Sequence, residues 1–307
     1  MKAVIENLVS RKFGNQTIPA EQNFQFEKSV FLSTFHHLKP EPRRQFHAFC
    51  IGLPRSGTHS LSYIFEDHYR AEHEPLRPEL IVNLVDFING RHSKEKMRNI
   101  LRYRDKRLQL DLESCHFLHH VIEILVPLFP EAKFILTVRE PMSWLASEIN
   151  QNYHTRNNRF CTVIESLRYC KHGFSQDCDA LQALPNVYPI PSYLTYWKEH
   201  ISRMLSCVPP ERLLILDTFQ ISEEIRSIAD FLDVPEETLN PGKMWSGQRK
   251  KDHIQLYDLV DRERVLADVL KYCGDFIEEN LPFMTKYLAF STSFIDSAST
   301  ETDEHYA

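Results

Sequence analysis

Residues 48–69 read AFCIGLPRSGTHSLSYIFEDHY. An apolar run ends in Gly-Leu-Pro-Arg-Ser-Gly-Thr, and a helical pattern follows at once. Leu61, Ile64 and Phe65 fall on one helical face, with Glu66 and Asp67 off it. A strand, a tight loop and a helix N-terminus in this order form the usual cradle for a phosphate-like anion. Gly57 lets the backbone approach an oxyanion closely, and the amides of Ser56, Gly57, Thr58 and His59 are expected to point at it. Arg55 adds a fixed positive charge, and Pro54 and Ser60 bound the loop. The plainer alternative is a strand-to-helix turn with Ser56 or Thr58 as N-cap. A nucleotide-hydrolysing loop needs Lys and then Ser or Thr after its last glycine, whereas Thr58 and His59 follow Gly57 here. The anion is therefore not the β/γ-phosphate pair of ATP.

Outward from the loop, strand-like and helical segments alternate. Strands are expected at 46–53, 71–74, 108–113, 133–138 and 213–216. Helices are expected at 60–68, 78–107, 116–129, 142–152, 192–207, 222–232 and 254–280. In 108–113, Leu108, Leu110 and Leu112 alternate with Gln109, Asp111 and Glu113, and residues 153–190 read as irregular. The alternation predicts an α/β fold: one domain, residues 1–290, with a central parallel sheet flanked by helices. Ligands of such sheets bind at the carboxyl ends of strands, so the site is expected just after Leu53, Glu113, Val138 and Leu216.

The composition suits a globular chain: 307 residues, 42% hydrophobic and 25% charged, with 8 Gly against 17 Pro. The net charge is −6, and four of the acids, Asp296, Glu301, Asp303 and Glu304, sit in the last dozen residues, so 291–307 reads as an acidic disordered tail. The body is then near neutral and is no general polyanion binder. No signal peptide is legible at the N-terminus, no apolar run is long enough to span a bilayer, and the seven scattered cysteines suit a reducing compartment. A cytoplasmic protein with no membrane or nucleic-acid partner is expected; oligomeric state is not legible. Cys161, Cys170 and Cys178, with His172 nearby, match no common zinc spacing, and no metal is expected.

A second motif, VREPMSWLAS at 138–147, places Arg139 at a strand end and Ser147 eight residues on, in the following helix. Together with LPRSGTHSL, this resembles the sulfotransferases that use 3′-phosphoadenosine 5′-phosphosulfate (PAPS), in the Pro-Arg-Ser-Gly-Thr version that looks more bacterial than animal. The resemblance runs from Cys50 to about Asp252 and includes LLILDTFQISEEIRSIADFL at 213–232. It implies that residues 54–60 hold the 5′-phosphosulfate and that Arg139 and Ser147 hold the 3′-phosphate. It also implies that a basic segment, GQRKKDH at 247–253 with Arg249, Lys250 and Lys251, closes on that phosphate. The chain departs from many eukaryotic members, which carry Lys at the place of Arg55 and an adenine-stacking Trp at that of Ser60; here the adenine contact must come from elsewhere. The Lys-Thr-His catalytic triplet is also absent, and DLESCHF stands at 111–117.

The implied activity is in-line transfer of a sulfuryl group to a hydroxyl or amine of a small-molecule acceptor. Arg55 is the expected cation near the bridging oxygen. The base is His116, Glu113, Asp111 or His59. His116 lies 23 residues before Arg139, near the family's spacing, and if Ser114 caps a helix it sits in the first turn, where neutral imidazole is favoured. The neighbouring His119–His120 pair reads as helix surface. The acceptor pocket is expected from segments 75–90, 150–193 and 283–294, which carry Phe87, Tyr153, His154, Phe160, Tyr188, Tyr193 and Phe283. The rival readings are a kinase-like phosphotransferase with a degenerate loop, a non-catalytic nucleotide-binding protein, and nucleic-acid binding by the basic stretch 91–107.

Overall fold

The structure is a computed structural model; it describes residues 44–170, 173–174, 179–243 and 254–288. The chain divides into two compact units, Met1–Gln45 and Phe46–Ala307, and the description that follows is of the second. The acidic tail 291–307, the basic segment 247–253 with Arg249, Lys250 and Lys251, and His172 and Cys178 lie outside the described residues.

Strand β1 (Ala48–Cys50) leads through the loop to α1 (Thr58–Phe65). Then come β2 (Ala71–His73), α2 (Arg77–Ile88), α3 (Lys94–Leu108) and β3 (Leu112–Ser114). A 3₁₀ turn over His116–Val121 runs into α4 (Ile122–Leu128), β4 (Lys133–Val138) and α5 (Pro141–Thr155). The chain continues with α6 (Arg159–Tyr169), the short α7 (Asp179–Gln182), α8 (Ile190–Cys207), β5 (Leu213–Asp217) and α9 (Ile225–Leu232). It closes with α10 (Leu256–Leu259), α11 (Arg262–Val269) and α12 (Asp275–Asn280).

All five strands run parallel in the order β2-β3-β1-β4-β5, the expected α/β arrangement with a single central sheet. Alternate strand residues feed two cores. Phe49, Phe134, Leu136 and Val138 pack under α4, α5, α8 and α11, while Ala48, Cys50, Leu112, Ile135 and Leu216 pack under α1 and α9. The registers bring the strand ends level: His73 pairs with Ser114, and Ser114 with Cys50. Residues just past these ends therefore share one edge, where the site lies. No helix among the described residues is long and apolar enough to cross a membrane.

Several boundaries differ from expectation. The expected helix 78–107 is two helices, broken at Asn89–Gly90 and restarted by Ser93, whose hydroxyl accepts from the Lys96 N–H (3.1 Å). Leu108 ends α3 rather than starting a strand, because Gln109 turns left-handed (φ 50°) and β3 forms only at Leu112. The expected irregular stretch 153–190 holds α6. Its inward face carries Thr162, Glu165, Arg168 and Tyr169, so a buried helical face is hidden behind polar residues. The expected helix 254–280 is interrupted at Asp261, which caps α11, and at a π turn over Leu270–Gly274. His119 is no surface residue: it is buried and stacked on His200, with ring centroids 4.0 Å apart and 10° between planes. The arginines of the basic stretch have partners within the protein, Arg91 with Asp86, Arg98 with Glu95, Arg104 with Glu113 and Arg107 with Glu79.

Candidate functional site

The loop after β1 is shaped by where its carbonyls go. Ile51 C=O accepts from His200 Nε2 (3.0 Å), and Leu53 C=O from Ser56 N–H (3.2 Å) and Ser56 Oγ (2.6 Å). Pro54 C=O accepts from Trp144 Nε1 (2.8 Å), Arg55 C=O from Arg139 Nη1 (3.4 Å) and Ser56 C=O from Thr218 Oγ1 (2.7 Å). Gly57 C=O accepts from the Leu61 N–H (2.9 Å) and Thr58 C=O from Ser114 Oγ (2.6 Å). Every carbonyl from Leu53 to Thr58 is thus bound by neighbouring protein, which turns the amide side of the loop's end toward the cleft. Two left-handed residues make the curl, Arg55 (φ 62°) and Gly57 (φ 88°), and Gly57 is also the N-cap of α1. Holding a non-glycine residue such as Arg55 there costs on the order of 1 kcal/mol, a strain typical of ligand loops.

Two expectations for this loop need correcting. The Ser56 amide is spent on Leu53 and its buried hydroxyl meets Leu53 C=O and Thr137 Oγ1 (2.8 Å), so Ser56 braces the loop from behind. Neither Ser56 nor Thr58 caps the helix by side chain. Gly52 is needed for a separate reason. A Cβ there would sit 1.8 Å from Thr137 Oγ1 and 2.8 Å from the Thr137 carbonyl. Gly52→Ala is therefore expected to lose about 1–3 kcal/mol of stability or more, read as a lowered urea midpoint.

A cleft of about 410 Å³ opens over this edge of the sheet. Pro54, Arg55, Gly57, Thr58, His59, Ser60, Arg139 and Thr218 line one half; His73, Glu74, Arg77, His116, Phe117, Glu148, Gln151, Thr155, Cys161, Glu165 and Arg168 line the rest. Arg139 and Ser147 do not meet directly. Ser147 Oγ accepts from Arg55 Nε (3.1 Å), and Arg139 Nε donates to Ser143 Oγ (2.9 Å), so Arg55 lies between the two expected anion contacts. Phe219, half exposed, lies beneath the Arg139 guanidinium at 5.4 Å.

Of the candidate bases, His116 and His59 line the cleft, whereas Glu113 and Asp111 do not. Glu113 is buried against Arg104, accepting from Nε (3.0 Å) and Nη2 (2.6 Å). Asp111 precedes β3, at the opposite end of the strand, and accepts from the Arg70 amide (2.9 Å). Ser114 does not cap the turn after β3, since its hydroxyl is held by Thr58 C=O. His116 is instead oriented by Glu74, with Nδ1 2.9 Å from Oε1. Glu74 sits just past β2 in a left-handed conformation (φ 49°), and Arg77 Nη1 lies 3.1 Å from its other oxygen. Burial opposes the charge of Glu74, but the His116 ring, His73 and Arg77 outweigh it and hold the carboxyl below its usual range. Burial, with Arg168 adding to it, lowers the His116 pKa below the ordinary 6.5 despite Glu74, so the ring is neutral near pH 7. With Nδ1–H given to Glu74, Nε2 carries the lone pair.

Glu74 and Thr218 were within reach of the strand-end rule, since Glu74 is the last residue of the expected strand 71–74 and Thr218 lies two residues past the expected strand 213–216. Phe117 and Arg168 had no comparable signal. Of the aromatic residues proposed for the acceptor pocket, the Phe160 side chain lies outside the described residues and none of the others lines the cleft; Tyr188 and Tyr193 are core.

Residues 47–240 match the family profile described as a sulfotransferase domain. A curated fungal protein, the Ava biosynthesis cluster protein M of Aspergillus versicolor, is 29% identical over 209 residues, 60% of this chain and 75% of that protein. Among solved structures, the sulfotransferase domain of the Synechococcus PCC 7002 olefin synthase matches at 18% identity and a TM-score of 0.40, covering 78% of this chain and 97% of that one. The Alicyclobacillus acidocaldarius sulfotransferase matches at 14% identity and 0.43, covering 78% and 96%. The profile carries the assignment, because it spans more than half of the chain and includes every strand together with the loop, Arg139 and His116. This chain belongs to the sulfotransferase domain family.

Proposed function

We propose that the protein transfers a sulfuryl group from PAPS to a hydroxyl or amine of a small natural-product-like acceptor. The observation that carries this reading is the cradle at residues 53–58, whose carbonyls are all bound on the protein side, set beside Arg55 and Arg139 and sharing a cleft with a neutral histidine. The donor set consists of amides and guanidinium groups, which suits a multiply charged anion and supplies no metal ligand. In this reading Gly57, Thr58, His59 and Ser60 hold the phosphosulfate end. Arg139, held by Ser143, and Ser147, on the other side of Arg55, hold the 3′-phosphate. Phe219 offers the adenine a ring face in place of the tryptophan that Ser60 lacks. PAPS supplies a sulfuryl group on a phosphate leaving group. His116 Nε2 takes the acceptor's proton as an S–O bond to a hydroxyl, or an S–N bond to an amine, forms and the S–O bond to phosphate breaks; Glu74 steadies the resulting imidazolium, and Arg55 meets the charge left on the phosphate. The biosynthetic-cluster name of the fungal relative supports an acceptor of natural-product type.

The test is incubation with radiolabelled PAPS and a panel of phenols, alcohols and amines, with and without EDTA. Labelled product formed without Mg²⁺ supports the proposal; transfer from ATP that requires Mg²⁺ points to the kinase-like alternative. Arg139→Ala is expected to weaken adenosine 3′,5′-bisphosphate binding by roughly 10- to 100-fold in calorimetry, the value of a lost charge-assisted contact. An unchanged affinity places the 3′-phosphate elsewhere.

A further inference from the structure

The cleft is also lined by a buried guanidinium that, among the described residues, has no hydrogen-bond or ion-pair partner. Arg168 is 4% exposed. Among the described residues its guanidinium makes no hydrogen bond and no ion pair. Nε and Nη2 are shut from solvent; Nη1 is equally without a partner but is not shut away, and Arg168 lines the cleft, so the Nη1 end meets the open space. The guanidinium carbon lies over the rings of Phe117 (5.4 Å) and Tyr196 (5.3 Å). Those faces hold the plane of the group but accept none of its in-plane N–H bonds.

The same fold shows what a structural buried arginine looks like. Arg104 is just as buried, yet its Nε and Nη2 both bond Glu113 and its Nη2 also reaches Pro75 C=O. A buried guanidinium without such bonds is costly, and the cost falls when an anion arrives. Two carboxylates, Glu148 and Glu165, lie near enough to favour the Arg168 charge, but neither hydrogen-bonds its guanidinium, and Glu148 Oε2 is itself buried without a hydrogen-bond partner. Glu148 Oε1 takes the Tyr169 hydroxyl (2.7 Å), and Glu165 takes Thr155 Oγ1 (2.8 Å) and Asn186 Nδ2. Phe117 also neighbours the other end of the acceptor space, its ring centroid 3.9 Å from that of His116. One aromatic ring thus borders both the base and the unpaired cation.

We propose that Arg168 binds a carboxylate on the acceptor, so that the substrate is a small hydroxy- or amino-carboxylic acid whose nucleophile reaches His116 while its acid group meets Nη1 of Arg168. The inference deepens the sulfuryl-transfer proposal and rests on it for the role of His116. The recognition itself is tested by binding alone.

The experiment uses the full chain and calorimetry. 4-Hydroxybenzoate, 4-hydroxyphenylacetate and 3-(4-hydroxyphenyl)propanoate are each compared with their methyl ester, and tyramine serves as the cationic counterpart. At least one acid is expected to bind roughly 10- to 100-fold more tightly than its ester. Arg168→Met is expected to erase that difference and Arg168→Lys to keep part of it. Adenosine 3′,5′-bisphosphate titrated into each variant reports that the loop half of the cleft is folded. If Arg168→Met does not fold, the wild-type acid-to-ester ratio and Arg168→Lys decide. No acid binding more tightly than its ester, tyramine binding more tightly than the acids, or a preference that survives Arg168→Met overturns the inference. An Arg168-dependent preference for acids in a protein that fails to bind the bisphosphate upholds this site and overturns the PAPS proposal instead.

Discussion

Changing His116 to Ala is expected to lower kcat by roughly 10²- to 10⁴-fold, the usual contribution of a positioned general base, while leaving adenosine 3′,5′-bisphosphate affinity nearly intact. The split follows from the geometry. His116 stands past the end of β3 and lines the cleft beside Glu74 and Phe117, where the acceptor is proposed to sit, whereas the nucleotide groups are assigned to the loop and Arg139 across the sheet edge. Because burial holds the ring's pKa below 6.5, the acid limb of kcat/KM is expected below pH 6.5. Glu74→Gln keeps an acceptor for Nδ1–H but removes the negative charge that raises the His116 pKa. It should therefore reduce kcat less than His116→Ala does and move the acid limb to still lower pH. Unchanged turnover in His116→Ala would shift the base to His59, the remaining cleft-lining candidate.

Acid should unfold this protein early. His73, His116, His119, His120 and His200 are all held neutral by burial, their pKa values pushed below 6.5, to about 4 for His73 and about 3 for His200. The unfolded chain takes up protons at these sites near pH 6.5, and the folded chain does not. Stability is therefore present above pH 6.5 and is lost as pH falls below it, until each folded-state pKa is reached. Each fully shifted histidine contributes a slope approaching about 1.4 kcal/mol per pH unit. Glu165 works the other way: burial raises its pKa to about 6, so its protonation in the folded state offsets part of the loss between pH 6 and its ordinary 4.5. Against a total stability of about 5–15 kcal/mol, the net effect is large. The urea midpoint should drop steeply between pH 7 and pH 5, and a flat profile would show that these rings reach solvent protons without unfolding. His200→Gln, which can still bridge Tyr196 and the Ile51 carbonyl, should flatten the slope by about one histidine's share.

How much of the site was legible depended on whether its parts were local in sequence. The loop, its glycine, Arg55, Arg139 and the position of His116 past a strand all follow from short motifs and the strand-end rule, and the cleft gathers them. Glu113 stood second to His116 as a candidate base, from its place at the end of an alternating run. What removed it was Arg104, nine residues earlier on a helix that folds back over β3. Arg168 was hidden for a related reason. An apolar stripe, Phe160, Val163, Ile164 and Leu167, is present in its segment, but the helix also buries the polar Thr162, Glu165 and Arg168, and nothing in their spacing announced that they walled the cleft.

The sequence by itself determined the alternation of strands and helices, the parallel sheet and the tight glycine turn between β1 and α1, because hydrophobic period, glycine placement and helix-start chemistry act over a few residues. Only the tertiary structure decided which ionisable groups are spent and which are available. Arg104 neutralises Glu113, Arg70 holds Asp111, Glu74 aims His116, and Arg168 finds no hydrogen-bond partner among the described residues. These outcomes depend on charges meeting across the sheet edge at contact distance within a low-dielectric interior, and residue spacing along the chain does not carry that information.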